Sequence, residues 1–277
     1  MPYAEVFGDP VAQSKSPLIH KHWLDRLGVA ADYRRTHVPA GQLADFVRER
    51  RHDSDWRGCN VTVPHKQAVI GHVDHVDTEA AAVGAINCIV PGLNGLTGYN
   101  TDVEGVGAAL DGLALEGVKV GLIGAGGGAR AAMAYLARRR VAEVAILVRD
   151  LSKAEPLRAM LPDARVDMGG FTDASGLLGG SSVIINASPL GMDGCPAMPP
   201  ELVAAASASG AALFDMVYQP LETPFLAAGR GRAINGLTML VGQASRAFEL
   251  FFGRSAPAPD QALFDLLSRN DGVDAPF

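Results

Sequence analysis

The stretch that decides the fold reads Val118-Lys-Val-Gly-Leu-Ile-Gly124-Ala-Gly126-Gly-Gly-Ala129-Arg130. It follows an apolar, strand-like run and opens a helix-like segment that extends to Arg138. In such a turn the first glycine bends the chain, the second lets a pyrophosphate approach, and a third small residue lets helix and strand pack closely. The helix N-terminus then faces the anion. This stretch therefore predicts a dinucleotide-binding α/β domain.

The end of the next predicted strand, residues 143–148, bears on which dinucleotide is bound. It reads Val148-Arg149-Asp150, and Lys153 follows. An NAD site usually carries an acid at this point for the ribose hydroxyls, whereas an NADP site offers basic side chains to a phosphate. Val148 occupies the acid position, so the two basic residues favour NADP. Asp150 would repel the phosphate unless it turns outward and caps the next helix.

Strand and helix patterns alternate on both sides of the glycine turn. Before it we expect strands at 4–7, 33–38 and 59–63, helices at 16–27, 42–51 and 103–115, and a hairpin over 86–99 with a loop at 91–95. After it we expect a helix at 128–138, strands at 182–186 and 211–214, and helices at 152–161, 237–252 and 260–267. Ser16 is expected to cap the first helix, and Gly28 to end it. The fold class is therefore α/β, with an open and mostly parallel N-terminal α/β domain plus a Rossmann-type domain.

Composition excludes several other classes of protein. With 48% hydrophobic and 19% charged residues, the chain is globular rather than disordered. Its formal net charge of −6 argues against a dedicated nucleic-acid binder. The most apolar long stretch, 117–137, contains Lys119 and Arg130, so no membrane partner is expected and the location should be cytoplasmic.

The cysteines and histidines do not suggest a metal site. The three cysteines are scattered, and the histidines form no HExxH pattern. We expect the cysteines to be small buried apolar residues. His72 and His75 have a spacing that a metal could use, but a solvated helix end explains them more simply.

Two polar clusters lie at predicted strand ends. Asn60-Val-Thr62-Val-Pro64-His65-Lys66 must turn at Pro64, because proline cannot continue a central strand, and it presents Lys66 at the strand's end. Gly98-Tyr-Asn100-Thr-Asp102 lies at another strand exit. Ligands collect at this edge of an open α/β sheet. A lysine and an aspartate near a dinucleotide suit reversible hydride transfer at a carbinol, since one group must take the hydroxyl proton.

Six motifs in order carry a family resemblance that covers nearly the full length. They are Phe7–Pro17, Asn60–Lys66, Gly98–Asp102, Asn186-Ala-Ser-Pro-Leu-Gly-Met192, Asp215-Met-Val-Tyr218 and Gly236–Gln243. The chain resembles the shikimate dehydrogenase family, whose members reduce 3-dehydroshikimate to shikimate with NADPH in aromatic amino acid (chorismate) biosynthesis. The resemblance implies a substrate-binding and catalytic domain at 1–103, completed by helices in 237–277. It also implies an NADP-binding domain at 104–236, with the active-site cleft between the two.

The resemblance also implies roles for individual residues. Lys66 resembles the family's acid–base residue, and Asp102 its partner. Ser14 and Ser16 resemble the hydroxyls that hold the substrate carboxylate, with Tyr218 nearby. The groups for the ring hydroxyls and keto oxygen are Thr62, Asn87, Asp102 and Gln243. The expected cofactor-binding residues are Gly124, Gly126, Gly127, Gly128, Ala129, Arg130, Arg149, Lys153, Met216 and Gly236.

The chain departs from the family pattern at three places. Val148-Arg149-Asp150 replaces the usual Asn-Arg-Thr, Cys88 replaces a threonine and Thr238 a glycine. One alternative is a quinate/shikimate dehydrogenase that prefers NAD, although the serine pair is typical of shikimate-specific members. Another is a catalytically silent ligand sensor, which would not need both Lys66 and Asp102. A monomer or a homodimer is expected.

Overall fold

The computed structural model describes residues 1–269, so residues 270–277 of the expected substrate domain lie outside the described residues. It divides into two compact units. The first contains Met1–Thr101 and the C-terminal residues from Gln243 onward, and the second contains Asp102–Gly242. The corresponding boundaries expected from the sequence lie at 103 and 237.

The secondary structure elements alternate along the chain. The strands are β1 (Tyr3–Gly8), β2 (Asp32–His37), β3 (Trp56–Val61), β4 (His75–Val76), β5 (Cys88–Gly92), β6 (Gly95–Tyr99), β7 (Lys119–Ile123), β8 (Glu143–Leu147), β9 (Arg165–Gly169), β10 (Val183–Asn186), β11 (Ala212–Asp215) and β12 (Ala233–Ile234). The α-helices are α1 (Ser16–Leu27), α2 (Leu43–Arg51), α3 (Thr78–Val83), α4 (Asp102–Leu110), α5 (Gly127–Arg138), α6 (Leu151–Arg158), α7 (Ala174–Leu178), α8 (Pro200–Ser209), α9 (Pro224–Ala227), α10 (Gly236–Phe252) and α11 (Gln261–Ser268).

The sheet of the first unit is mixed. Its strand order is β2-β1-β3-β5-β6-β4. β1 is parallel to both neighbours, whereas β5 is antiparallel to β3 and β6. The antiparallel pairs come from the expected hairpin, which is confirmed. Its loop is shorter than expected, because Gly92 pairs with Gly95 and only two residues remain between the strands.

In the first helix, α1, the expected stop signal and first-turn proline are confirmed, but the expected N-cap is not. Gly28 ends α1 in the left-handed conformation at φ 61°, and Pro17 lies in the first turn. The expectation that Ser16 is the N-cap is wrong, because Ser16 is already helical and Lys15 precedes it without a side-chain cap. Ser14 lies two residues before the helix and accepts a hydrogen bond from the Ser16 amide at 3.3 Å.

The second unit has the strand order β12-β11-β10-β7-β8-β9, with every pair parallel. Counted along this unit, the order is 6-5-4-1-2-3, which is the doubly wound order of a Rossmann fold. Its central strands are buried, as expected for a parallel sheet covered on both faces. The expected α/β class with a Rossmann-type domain is confirmed.

Several boundaries and short elements differ from expectation. The helix expected at 103–115 ends at Leu110, because Gly112 adopts φ 77° and breaks it. The helix expected at 152–161 is α6, which ends three residues earlier, at Arg158. The strand expected at 59–63 is β3, which begins at Trp56 and ends at Val61. The unexpected elements are mostly short: β4, α3, β9, α7, α8, α9 and β12. Within residues 1–269, no helix has the length and apolar character needed to cross a membrane.

Candidate active site

The glycine turn lies between β7 and α5, and each glycine there meets a different constraint. Gly124 has φ 107°, and a Cβ on it would lie 3.0 Å from the Ala187 carbonyl oxygen. Apart from the residues next to it in the chain, a Cβ on Gly126 would have no described atom within 4 Å. A Cβ on Gly128 would lie 2.8 Å from the Met216 sulfur. The turn is therefore tightly packed at Gly124 and Gly128 but open at Gly126.

The strand order gives this turn its position in the second unit. β7 pairs with β8 on one side and with β10 on the other, so the direction in which successive strands are added to the sheet reverses here. Ligands of open α/β sheets bind outside the carboxyl ends of the strands at such a switch point. The fully buried Ala129 lets α5 pack closely on the sheet. The open backbone at Gly126 and the helix N-terminus fit a dinucleotide pyrophosphate.

Asp150 is engaged by the helix that follows it. Its carboxylate accepts hydrogen bonds from the Ser152 hydroxyl at 2.6 Å and from the Ser152 amide at 3.1 Å, which caps α6. These two hydrogen bonds lower the pKa of the Asp150 carboxyl. Arg149 and Lys153 are both exposed on either side of it. Asp150 therefore caps the next helix, as the sequence required if Arg149 and Lys153 are to bind a phosphate beside it.

The two candidate carboxylate-binding serines lie in a turn that is fixed by backbone contacts. Arg35 donates two hydrogen bonds to the Ser14 carbonyl oxygen, at 2.9 and 2.7 Å. Ser16 is buried. The structure thus brings both serines together at the start of α1.

The segment that follows β3 holds Thr62 and Lys66. The Thr62 amide donates to the Phe7 carbonyl at 3.0 Å, and the Val63–Pro64 peptide bond is cis. The chain turns at Pro64, as expected. The Lys66 carbonyl accepts a hydrogen bond from the Ile86 amide at 2.7 Å, which holds the lysine backbone. The Lys66 side chain is half-buried.

The remaining candidate substrate groups of the first unit form a buried polar cluster. The Asn87 amide nitrogen donates to the Thr101 hydroxyl at 3.1 Å, and the Thr101 backbone amide donates to Asn87 Oδ1 at 2.7 Å. The Thr101 hydroxyl lies 3.4 Å from Gln243 Oε1. Asn60 and Thr101 were not among the residues selected from the sequence. A polar residue inside an apolar strand, such as Asn60 in β3, is the signal that could have indicated one of them.

Asp102 and Tyr218 lie in the second unit. Asp102 is buried at the first residue of α4, and Tyr218 is half-buried three residues after β11. Met216 and Gly236 are packed together, because a Cβ on Gly236 would overlap the Met216 carbonyl. Both lie close to the carboxyl edge of the parallel sheet, where the glycine turn also lies.

A buried carboxyl group stabilises the loops at that edge. Asp215 accepts hydrogen bonds from Asn186 Nδ2 at 2.9 Å, the Val217 amide at 3.0 Å and the Thr223 hydroxyl at 2.6 Å. Burial raises the pKa of the Asp215 carboxyl although these hydrogen bonds act in the opposite direction. Asn186 and Asp215 belong to two of the motifs in the sequence, which give them no individual role. Their contacts show that they fix the ends of β10 and β11.

Within residues 1–269, the structure brings no three potential metal-ligating side chains together. His72 ends a short 3₁₀ helix, but His75 lies in β4, so the expectation of one solvated helix end is wrong for His75. Cys59 and Cys88 are buried and Cys195 is half-buried, all as free thiols.

The fold and these residues define a class: a dinucleotide-binding enzyme with a Rossmann-order unit and a separate α/β unit rich in buried amides and hydroxyls. Three family models match the chain. They describe a shikimate dehydrogenase substrate binding domain at residues 6–89, shikimate / quinate 5-dehydrogenase at 108–190, and the shikimate 5'-dehydrogenase C-terminal domain at 236–260.

Known proteins of similar sequence or similar structure were compared with the chain as well. The chain is 48% identical to a shikimate dehydrogenase (NADP(+)) of Sphingopyxis alaskensis, over 94% of this chain and 93% of the relative. A Thermus thermophilus shikimate 5-dehydrogenase, solved in complex with NADP(H) and shikimate, has TM-score 0.82 and 29% identity over 96% and 98% of the two chains. A 5-ketofructose reductase of Gluconobacter has TM-score 0.82 and 30% identity over 96% and 97%. The chain belongs to the shikimate dehydrogenase family, and the resemblance seen in its motifs is confirmed.

Proposed function

We propose that this protein is an NADP-dependent shikimate dehydrogenase that reversibly reduces 3-dehydroshikimate to shikimate. It is then an oxidoreductase acting on a CH–OH group in aromatic amino acid biosynthesis. The observation that carries the proposal is the 48% identity, across nearly the whole chain, to a relative named for this activity and this cofactor. The glycine turn and the buried amides of the first unit supply the two kinds of binding group that the reaction needs.

The reaction needs a proton as well as a hydride. NADPH, when bound, supplies the hydride to the keto carbon of the substrate. We assign the proton to the Lys66 ammonium, which donates it to the keto oxygen during reduction and takes it back during oxidation. Asp102 is the partner that the family resemblance assigns to this lysine, and it accepts a hydrogen bond from a ring hydroxyl. The fixed backbone of Lys66, held through its carbonyl by Ile86, supports this role.

The substrate carries one carboxylate and several hydroxyl groups, and the proposed contacts divide accordingly. Ser14, Ser16 and Tyr218 donate hydrogen bonds to the carboxylate without adding charge. Neutral amides and hydroxyls bind the ring hydroxyls, because they both donate and accept without titrating. These groups are Thr62, Asn87 and Gln243, together with the Asp102 carboxylate.

The residues present at the second unit's glycine turn fit NADP. The open Gly126 backbone admits the pyrophosphate, and the exposed Arg149 and Lys153 offer two positive charges to the 2′-phosphate. Asp150 is held by Ser152 at the start of α6. The further cofactor contacts proposed are Gly124, Gly127, Gly128, Ala129, Arg130, Met216 and Gly236.

Two other substrates have support from the comparisons. One matching family model covers quinate as well as shikimate dehydrogenases. The Gluconobacter protein of the same fold is named for the reduction of 5-ketofructose. We favour shikimate because the identity to the S. alaskensis enzyme is 48%, against 30% for the ketofructose reductase.

The test is a matrix of initial rates on the purified protein, followed by nicotinamide absorbance. Shikimate and quinate are each combined with NADP and with NAD, and 5-ketofructose is combined with NADPH. The proposal predicts that the shikimate–NADP rate is the largest. A dominant NAD rate would contradict the cofactor assignment, and a dominant quinate or ketofructose rate would contradict the substrate. Binding of NADP and shikimate without turnover would favour a ligand sensor.

The same proposal places the enzyme in the cytoplasm, as a monomer or homodimer that binds small molecules rather than nucleic acid. The net charge of −6 supports the last point, since nucleic-acid binding relies on cationic surfaces. Light scattering on the purified protein distinguishes a monomer from a dimer, and a larger assembly would contradict this part of the proposal.

A further inference from the structure

The two serines proposed to bind the substrate carboxylate lie in the serine turn, residues 11–16. The Ser14 amide donates a hydrogen bond to the Val11 carbonyl at 3.0 Å, which closes the turn. The Ser14 hydroxyl oxygen accepts a hydrogen bond from the Ser16 amide at 3.3 Å, which joins the two serines. These contacts are local, and the two residues between Val11 and Ser14 are exposed. Such a turn can move as a unit unless another part of the chain holds it.

The neighbouring strand β2 contacts the chain on both sides of the serine turn. Its residues Tyr33, Arg35 and His37 share one face, because side chains alternate along a strand. The Tyr33 ring stacks on His20 of α1 with ring centroids 4.0 Å apart. His37 Nε2 lies 2.8 Å from a carboxylate oxygen of Asp9, which precedes the turn. Arg35 lies between these two contacts.

Arg35 holds the serine turn through its backbone. The Arg35 Nε and Nη2 atoms donate hydrogen bonds to the Ser14 carbonyl oxygen at 2.9 and 2.7 Å. A guanidinium stays charged and presents its donors in a rigid planar fork, so the pair of bonds fixes the direction of the carbonyl as well as its position. The two residues are 21 positions apart in the chain. Arg35 therefore supplies the long-range contact that the turn itself lacks.

We propose that Arg35 is a positioning residue that fixes the serine turn in the orientation in which Ser14 and Ser16 bind the substrate carboxylate. This inference rests on the proposed function, because it assumes that both serines contact that carboxylate. Without the guanidinium, the Ser14 peptide can rotate and the two hydroxyls no longer converge on one carboxylate. The loss falls on substrate binding, because the proposed proton transfer uses no group of this turn.

The first test compares Arg35→Met with Arg34→Met, since methionine is unbranched and flexible and cannot replace the guanidinium donors. Arg35→Met should raise the KM for shikimate about 10-fold, as expected when hydrogen bonds from a charged group are lost. Its kcat should stay within about threefold and its KM for NADP should not change, because only ground-state binding of shikimate is affected. Arg34 is a matched control: it is the next residue of β2, lies on the other face and pairs with Asp32 at 2.9 Å. Arg34→Met should leave all three constants unchanged.

The second test asks whether the effect passes through the substrate carboxylate. The methyl ester of shikimate keeps the ring and its hydroxyls but has no carboxylate charge. Its affinity is measured as an inhibition constant against shikimate. Arg35→Met should weaken the ester much less than it weakens shikimate, whereas Arg34→Met should keep the wild-type ratio of the two affinities. An equal loss of affinity for shikimate and for the ester would overturn the inference.

The third test measures coupling between Arg35 and Ser14. If Arg35 acts through Ser14, adding Arg35→Met to Ser14→Ala should raise the KM for shikimate by less than it does in the wild type. Single effects that multiply would contradict this route. Thermal melting checks that each variant is folded. If Arg35→Met does not fold, Arg35→Lys replaces it, because lysine keeps the charge but not the planar fork and should shift KM in the same direction.

The outcomes separate this inference from the proposed function. A wild-type protein that turns over shikimate, with a KM that Arg35→Met does not change, contradicts the inference alone. An equal rise in the KM for NADP would also contradict it, since the effect would then not be local to the serine turn. A wild-type protein that neither binds nor oxidises shikimate contradicts the proposed function, and the inference falls with it.

Discussion

The two units of this protein build their candidate binding sites from different parts of the chain. In the first unit the candidate groups are side chains, mostly buried amides and hydroxyls, and some of them are hydrogen bonded through Thr101, which contacts both Asn87 and Gln243. In the second unit they are mostly backbone, opened by glycines at the end of β7, with the exposed Arg149 and Lys153 beside them. The two sheets also differ, since the sheet of the first unit is mixed and the sheet of the second unit is wholly parallel.

This difference follows from the chemistry of the two proposed ligands. A pyrophosphate carries several equivalent oxygens, which backbone amides at a helix N-terminus can bind in many sequences. A ring with several hydroxyls needs donors and acceptors at fixed points, which only oriented side chains provide. The first unit therefore depends on a hydrogen-bonded network, and the second on the space that glycines leave.

The largest effect should come from the proposed acid–base residue. Lys66→Ala should lower kcat about 100-fold or more with little change in the KM for shikimate, because proton transfer is lost while the neutral contacts remain. Steady-state kinetics with shikimate and NADP measures both constants. Lys21→Ala, which removes a lysine on α1 paired with Asp32, is the matched control and should behave as wild type. Retained kcat with a raised KM would make Lys66 a binding residue.

The next largest effect is the pH dependence of the free energy of unfolding, which has opposite signs for His20 in the first unit and Asp215 in the second. Burial lowers the pKa of His20 in the folded protein from its ordinary value of 6.5 to about 3, so the unfolded chain binds a proton first as pH falls. Its contribution to stability is complete above pH 6.5 and is lost progressively as pH falls toward 3. Between pH 7 and pH 5 this amounts to about 2 kcal/mol. Asp215 in the second unit has a raised pKa, so its contribution is lost as pH rises through the folded value.

His20→Leu tests this difference, because leucine has a similar volume and does not titrate. The free energy of unfolding, from urea titrations at pH 7 and pH 5, should fall less for the variant than for wild type, by about 2 kcal/mol. His52→Leu, at an exposed position, is the control and should keep the wild-type slope. Equal pH dependence in wild type and His20→Leu would show that His20 does not control acid sensitivity.

A smaller effect tests the two cations of the second unit. The double substitution Arg149→Ala/Lys153→Ala should raise the KM for NADP about 10-fold or more, since hydrogen bonds to charged groups are stronger than neutral ones. The KM for shikimate and the rate with NAD should stay near wild type. Arg138→Ala and Arg158→Ala, on other parts of the second unit, provide controls. If the KM for NADP did not change, the 2′-phosphate would have to be bound elsewhere.

The smallest effects separate the two functions of the glycines. Gly124→Ala places a side chain at φ 107° and close to the Ala187 carbonyl, so it should destabilise the protein by about 1–2 kcal/mol. Gly126→Ala meets no neighbouring atom within 4 Å, so stability should persist while NADP affinity falls by about 1 kcal/mol. Thermal melting with and without NADP measures both. Equal melting temperatures for the two variants without NADP would contradict the distinction.

Local signals were predictable from the sequence, and long-range contacts were not. The glycine turn, the stop at Gly28 and the cap that Asp150 could form all depend on residues within a few positions of each other. The Tyr33–Asn60 hydrogen bond joins residues 27 positions apart, and no local pattern specifies it. The sequence predicts a helix from residue 103 that is too long, because the apolar residues continue to Leu115. In the structure Gly112 adopts a positive φ and the helix ends earlier.

The most direct test of this division between the units is hydrogen–deuterium exchange on the full-length protein, with shikimate alone and with NADP alone. Shikimate should slow exchange in peptides covering 14–16, 60–66, 87–101 and 243, and NADP in those covering 124–130 and 148–153. NADP protection confined to the first unit, or shikimate protection at the glycine turn without any in peptides containing Asn87 and Thr101, would contradict the account.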